Sequence, residues 1–167
     1  MRAWRIYPHT AKYARGPGFD PLDGAGGRVA AGRWNDPGHP VIYAAASASL
    51  AALETIANLR HAGLFGERMI LEIELADDTE RVSLEQVLRL RADAPAEDPE
   101  LLTREFGSDW LRQRRSLALV VPSFVMPYDM NVLVNPLHPA AKGMTVLRQE
   151  RIRLDGRILT GGPGRHG

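Results

Sequence analysis

Cysteine is absent from the 167-residue chain, so neither a disulfide framework nor a zinc–thiolate centre can hold it together. An excess of charge is missing too: 21 Lys and Arg stand against 20 Asp and Glu, which leaves no electrostatic footprint for duplex nucleic acid. No run of roughly 18 apolar residues occurs, and the first residues lack the apolar core of a signal peptide. A cytoplasmic location without membrane contact is therefore expected. Gly24-Ala25-Gly26-Gly27 departs from the Gly-x-Gly-x-x-Gly spacing and no Gly-Lys-Ser/Thr follows a glycine loop, which excludes dinucleotide-binding and phosphate-loop motifs. Ser123 has no nucleophile-elbow context. The histidines at 9, 39, 61, 138 and 166 show no metal-ligand spacing, and no metal site is predicted.

What is present is an ordinary globular composition, 44% hydrophobic and 25% charged, long enough for one domain over residues 1–160 with a flexible tail over 161–167. Alternation predicts a strand over Ala3–Tyr7 with Arg5 and Tyr7 on one face. The long stretch Pro8–Pro40 is rich in Gly, Pro, Asp and Asn, and loops of that length inside a compact domain are usually functional or disordered. Gly32-Arg33-Trp34-Asn35 argues for order. A strand over Val41–Ala45 and a helix over Leu50–His61, capped by Ser47 or Ser49, come next.

Further strands are predicted over Met69–Leu75, Leu117–Val121 and Met130–Val134, with Arg81–Val82 extending or pairing with the first. Short and longer helices are predicted over Ser83–Leu90 and Leu101–Arg114, the latter open to a break at Gly107. A hairpin through Asp155-Gly156 joins Thr145–Leu154 to Arg157–Thr160.

The Gly24–Glu54 stretch reads as a site. Its glycines let backbone N–H groups approach an anion, Arg33 supplies a planar cation suited to phosphate, and Tyr43 and Trp34 offer flat faces for a ring. Glu54 has no basic residue three or four positions away on its helix, so the usual helical ion pair does not account for it. Ser123 and Asn135 both lie just past strand ends, where they either converge on a site or serve as turn formers beside proline. Glu72 and Glu74 share a strand face and read best as its solvated side.

Gly32-Arg33-Trp34-Asn35, Pro37-Gly38, Pro40-Val41-Ile42-Tyr43, Ala51-Ala52-Leu53-Glu54, Val121-Pro122-Ser123, Asn131-Val132-Leu133-Val134-Asn135-Pro136 and His138-Pro139 occur in that order. Together they resemble the RES-domain toxins of bacterial toxin–antitoxin pairs, named for an Arg, a Glu and a Ser matched here by Arg33, Glu54 and Ser123. The resemblance implies an α+β, ADP-ribosyltransferase-like fold with two packed β-sheets and flanking helices around an NAD cleft. It implies an NAD glycohydrolase or NAD phosphorylase that depletes NAD, with NAD as substrate, inorganic phosphate as a possible co-substrate and no cofactor. Glu54 would stabilise the charged ribose, Arg33 and Arg5 would hold the pyrophosphate, Tyr43 would orient the nicotinamide, and Ser123 and Asn135 would fix nicotinamide or ribose. The implied partner is a helix-turn-helix, Xre-like antitoxin that covers the site and alone contacts DNA. An ADP-ribosyltransferase acting on a macromolecule and a non-catalytic NAD-binding module are the alternatives.

Overall fold

The computed structural model describes residues 1–9, 19–58, 66–89, 98–155 and 158. Their strands are β1 (Arg2–Pro8), β2 (Ile42–Ala45), β3 (Arg68–Glu74), β4 (Thr79–Arg81), β5 (Ala118–Pro122), β6 (Met130–Val134) and β7 (Thr145–Ile152). The helices are α1 (Ala25–Val29), α2 (Ala48–Asn58), α3 (Leu84–Arg89) and α4 (Pro99–Gln113). The architecture is mixed α+β, as expected.

The strands form one continuous sheet in the order β4-β5-β6-β2-β1-β3-β7, where two packed sheets were expected. The physical reason is a thin join. β1 and β2 meet through the single register pair Trp4–Ala45, whereas β1 and β3 pair along seven residues. Each half of the sheet is thus nearly a sheet in itself. An apolar cluster including Ala3, Leu71 and Ile73 from one half and Ile42, Val120, Val132 and Val134 from the other binds them. A second cluster, with Trp34, Trp110, Leu119, Val121 and Leu133, lies on the opposite face. β5 and the Val132–Val134 part of β6 are therefore buried on both sides, which explains their apolar runs.

Helix α2 begins where Ser47 Oγ accepts the Leu50 N–H at 3.1 Å, the expected cap. Its Leu50 and Ala51 pack with Ala45 of β2 and with Trp4 and Ile6 of β1, directly over the join. Helix α4 starts at Pro99 behind Asp98, whose carboxylate accepts the Glu100 N–H at 3.0 Å. It stops at Arg114, held at φ 50°. Gly107 does not break it: a Cβ there would stand 1.9 Å from the Trp34 carbonyl oxygen, so glycine permits a close approach of helix to loop.

Two local expectations change. β4 pairs in parallel with β5 and not with β3. β3 lies between β1 and β7 and is buried except at Glu74, so Glu72 is no solvated residue; it accepts from Arg2 at 3.1 Å. β7 pairs with β3 along its length. Most of the predicted hairpin's second strand, the continuation of α2 to His61, most of the 92–99 loop and the 161–167 tail fall outside the described residues.

Candidate active site

The Gly24–Asn35 stretch is built around two close approaches. Gly24 has φ 66° and a Cβ on it would meet the Val41 backbone at 2.6 Å, so both conformation and space demand glycine there. A Cβ at Gly32 would stand 2.4 Å from the Tyr43 hydroxyl oxygen. That hydroxyl donates to Asn35 Oδ1 at 2.8 Å and accepts the Trp34 N–H at 3.1 Å. Burial pushes the Tyr43 phenol up to about 12, so it stays protonated as a brace for the loop. Asn35, fully buried, spends its amide on the carbonyls of Gly27, Ala30 and Asp36.

Helix α4 grips the same loop from behind. Thr103 Oγ1 donates to the Arg33 carbonyl at 2.8 Å, Gly107 lies against Trp34, and Ser108 Oγ accepts the Asp36 N–H at 2.8 Å. The backbone of Arg33 is fixed, and its guanidinium reaches out over the Phe124 ring, 4.3 Å from the centroid. Its Nη1 stands 3.4 Å from Glu100 Oε2.

Glu54 projects from α2 toward the β5–β6 end of the sheet. Its Oε1 accepts from Ser123 Oγ at 2.8 Å and from Asn131 Nδ2 at 2.5 Å. Ser123 Oγ in turn accepts the N–H groups of Val125 and Met126, at 3.1 and 2.9 Å. Two side chains thus fix one carboxylate oxygen. The Asn131 amide has only one sensible orientation, since its oxygen turned toward Glu54 would face another acceptor. With its N–H engaged, Asn131 Oδ1 is shielded from solvent and without a partner among the described residues.

A cleft of about 400 Å³ runs between Arg33 and Glu54, walled by Gly32, Tyr43, Phe124 and Arg5, and falls in the size range of small-molecule sites. A second recess of about 330 Å³, lined by Trp4, Ile6, Ala45 and Thr55 among others, shares Arg5, Tyr43, Glu54 and Asn131 with the first. Glu54 and Asn131 stand where the two meet. Arg5 Nη1 donates to the Tyr43 carbonyl at 3.1 Å, while its Nε is shut away without an acceptor among the described residues. Burial lowers the proton affinity of Arg5, and Asp23 raises it; a guanidinium remains charged regardless.

Arg5, Arg33, Tyr43 and Glu54 therefore come together as expected. Ser123 reaches the site only through Glu54, to which its hydroxyl is committed. Asn135 does not reach it. β5 and β6 run antiparallel, with Val121 opposite Asn131, so the residue after β5 lies beside the start of β6, and Asn135 stands at the far end. There its Nδ2 donates to the Leu111 carbonyl and its Oδ1 accepts the Leu137 N–H, ordinary turn chemistry. Asn131 is the residue that sequence reasoning left without a role. An asparagine inside the apolar strand Met130–Val134 is costly unless bonded, and that was its signal. Trp34 is buried against the core cluster behind the cleft. Tyr7 accepts from Gln149 Nε2 at 3.2 Å and lines the second recess, not the cleft between Arg33 and Glu54. Among the described residues no cluster of three or more His, Asp or Glu is arranged for a metal, and no helix is long and apolar enough to cross a membrane.

Comparison with known proteins places this geometry in context. The RES domain matches residues 2–155. The chain is 36% identical over 158 residues to the Prs ADP-ribosylating toxin of Sphingobium sp. (strain YBL2), covering 93% of this chain and 95% of that protein. It is 40% identical over 127 residues to the Toxin Res of Pseudomonas putida, covering 75% of this chain and 84% of that protein. Among solved structures it is similar in fold to a chain of the M. tuberculosis MbcT-MbcA toxin–antitoxin complex, with a TM-score of 0.65, 17% identity, and 91% of this chain and 84% of that chain covered.

Proposed function

The chain belongs to the RES domain family, and from that premise we propose that it is the toxin of a toxin–antitoxin pair and depletes NAD by breaking the nicotinamide–ribose bond. One observation carries the reading: the Glu54 carboxylate, fixed by Ser123 and Asn131, faces a cleft walled by two arginines and a tyrosine. When the bond from ribose C1′ to the pyridinium nitrogen breaks, the electron pair leaves with nicotinamide, which departs neutral. Positive charge develops on C1′ and the ring oxygen. A carboxylate held in place beforehand stabilises that charge without having to reorganise.

Arg33 and Arg5 hold the pyrophosphate, which brings C1′ to Glu54, and the Tyr43 ring forms the wall between them. Ser123 and Asn131 keep Oε1 occupied and leave Oε2 for the substrate. The acceptor oxygen then bonds to C1′; water gives ADP-ribose and releases a proton, and inorganic phosphate gives ADP-ribose 1″-phosphate. No cofactor enters this scheme. The partner is a helix-turn-helix antitoxin lying over the cleft.

The test is an NMR time course of the purified protein with NAD, with and without phosphate. Release of nicotinamide is expected, and the sugar product names the acceptor. Folded protein that releases none would overturn the reading. Label from NAD that stayed on a macromolecule through a denaturing gel would replace depletion by ADP-ribosyl transfer.

A further inference from the structure

We propose that Glu100 is a built-in competitor for the cleft: its carboxylate occupies Arg33 in the free protein and must be displaced by the anionic group of the ligand. The inference rests on the assignment of Arg33 to the pyrophosphate. Four observations carry it.

The first is the ion pair itself, with Arg33 Nη1 at 3.4 Å from Glu100 Oε2. The second is that the Arg33 main chain needs no help from Glu100, since Thr103, Gly107 and Ser108 already fix the loop through its backbone. The carboxylate touches only the head group, the part that would meet the ligand. The third is placement: Glu100 lies in the first turn of α4, where the helix dipole favours a negative charge. The contact therefore exists without strain.

The fourth is strength. The side chains of Arg33 and Glu100 are 40% and 44% exposed, and an ion pair so open to water is weak. A pyrophosphate carries two charges and can bridge Arg33 and Arg5, so it displaces the single carboxylate. A neutral or singly charged ligand lacks that advantage. Glu100 thus acts as a threshold on ligand charge, and the Phe124 face keeps the guanidinium flat and available during the exchange.

Replacement of Glu100 by Gln keeps the shape and the Asp98 cap and removes the competing charge. Expected for Glu100→Gln is a KM for NAD lowered about two- to fivefold, with the change confined to KM, and a similar tightening for inorganic pyrophosphate measured by calorimetry. Nicotinamide riboside, which has no phosphate, should bind as before. In an Arg33→Ala background, adding Glu100→Gln should make no further difference. A raised KM would mean that Glu100 orients Arg33 for the substrate, and equal affinities would mean that the pair is inert; either result overturns the proposal. Pyrophosphate binding does not depend on turnover. A protein that binds pyrophosphate but leaves NAD intact would remove the proposed reaction and still decide the role of Glu100.

Discussion

The two ends of the cleft are held in different ways. At one end the Glu54 side chain itself is fastened, by Ser123 and Asn131 on a single oxygen. At the other, the backbone of Arg33 is clamped by α4 while its side chain rests on Phe124 and Glu100, partly in water. Under the proposed function the difference follows from the task of each end. A group that stabilises a fleeting charge gains from being immobile before the charge appears. A group that captures a ligand gains from a contact that can be exchanged.

That contrast can be broken at either end. Glu54→Gln deletes charge and keeps shape, and kcat is expected to fall about 10²–10³-fold with the melting temperature unchanged. Full turnover by this variant would falsify the assignment of Glu54. Gly107→Ala strikes the other end through the backbone. The added methyl collides with the Trp34 carbonyl, so a loss of about 2–4 kcal/mol in urea unfolding is expected. The surviving folded fraction should show a raised KM more than a lowered kcat.

Tyr43 sharpens the comparison through pH. Its phenol sits near 12 when folded against an ordinary value of 10, because burial favours the neutral form. Its stabilising contribution is therefore intact below pH 10 and is lost as pH rises toward 12. Wild type should lose about 2–3 kcal/mol more than Tyr43→Phe across that window in unfolding measurements. Parallel curves would remove Tyr43 as a buried brace. The smallest effect is expected for Ser123→Ala, which frees one bond to the Glu54 carboxylate: roughly tenfold in kcat with KM held. A change in KM alone would make Ser123 a substrate contact.

Sequence made the Glu54 end partly legible. The lack of a helical partner for Glu54 marked it as a residue with business elsewhere, and its partners proved to be 69 and 77 positions away. Which asparagine would join it was hidden. Asn131 near the start of β6 and Asn135 just past its end lie four residues apart, about 13 Å, and only the antiparallel pairing of β5 with β6 decides which stands beside Ser123. Proximity to a strand end pointed to the wrong one. The grip of α4 was hidden for a similar reason: Thr103, Gly107 and Ser108 look like poor helix formers until the loop they hold is set against them. The alternation of β1, the apolar runs of β5 and β6 and the Ser47 cap depend on neighbours in sequence, and those were readable.

The seam between the two halves of the sheet has a consequence for how the protein can be inactivated. Arg5 belongs to one half, Tyr43 and Asn131 to the other, and a single residue pair stitches the strands that divide them. To the apolar cluster that the two halves share, α2 adds a fastening from outside the sheet, its Leu50 and Ala51 pressing on Trp4 and Ala45 together. Glu54 rides on that same helix one turn further along. A helix that buckles the two halves is also the one that carries Glu54, so under the proposed function whatever pries the buckle open would disarm the molecule without ever entering the cleft.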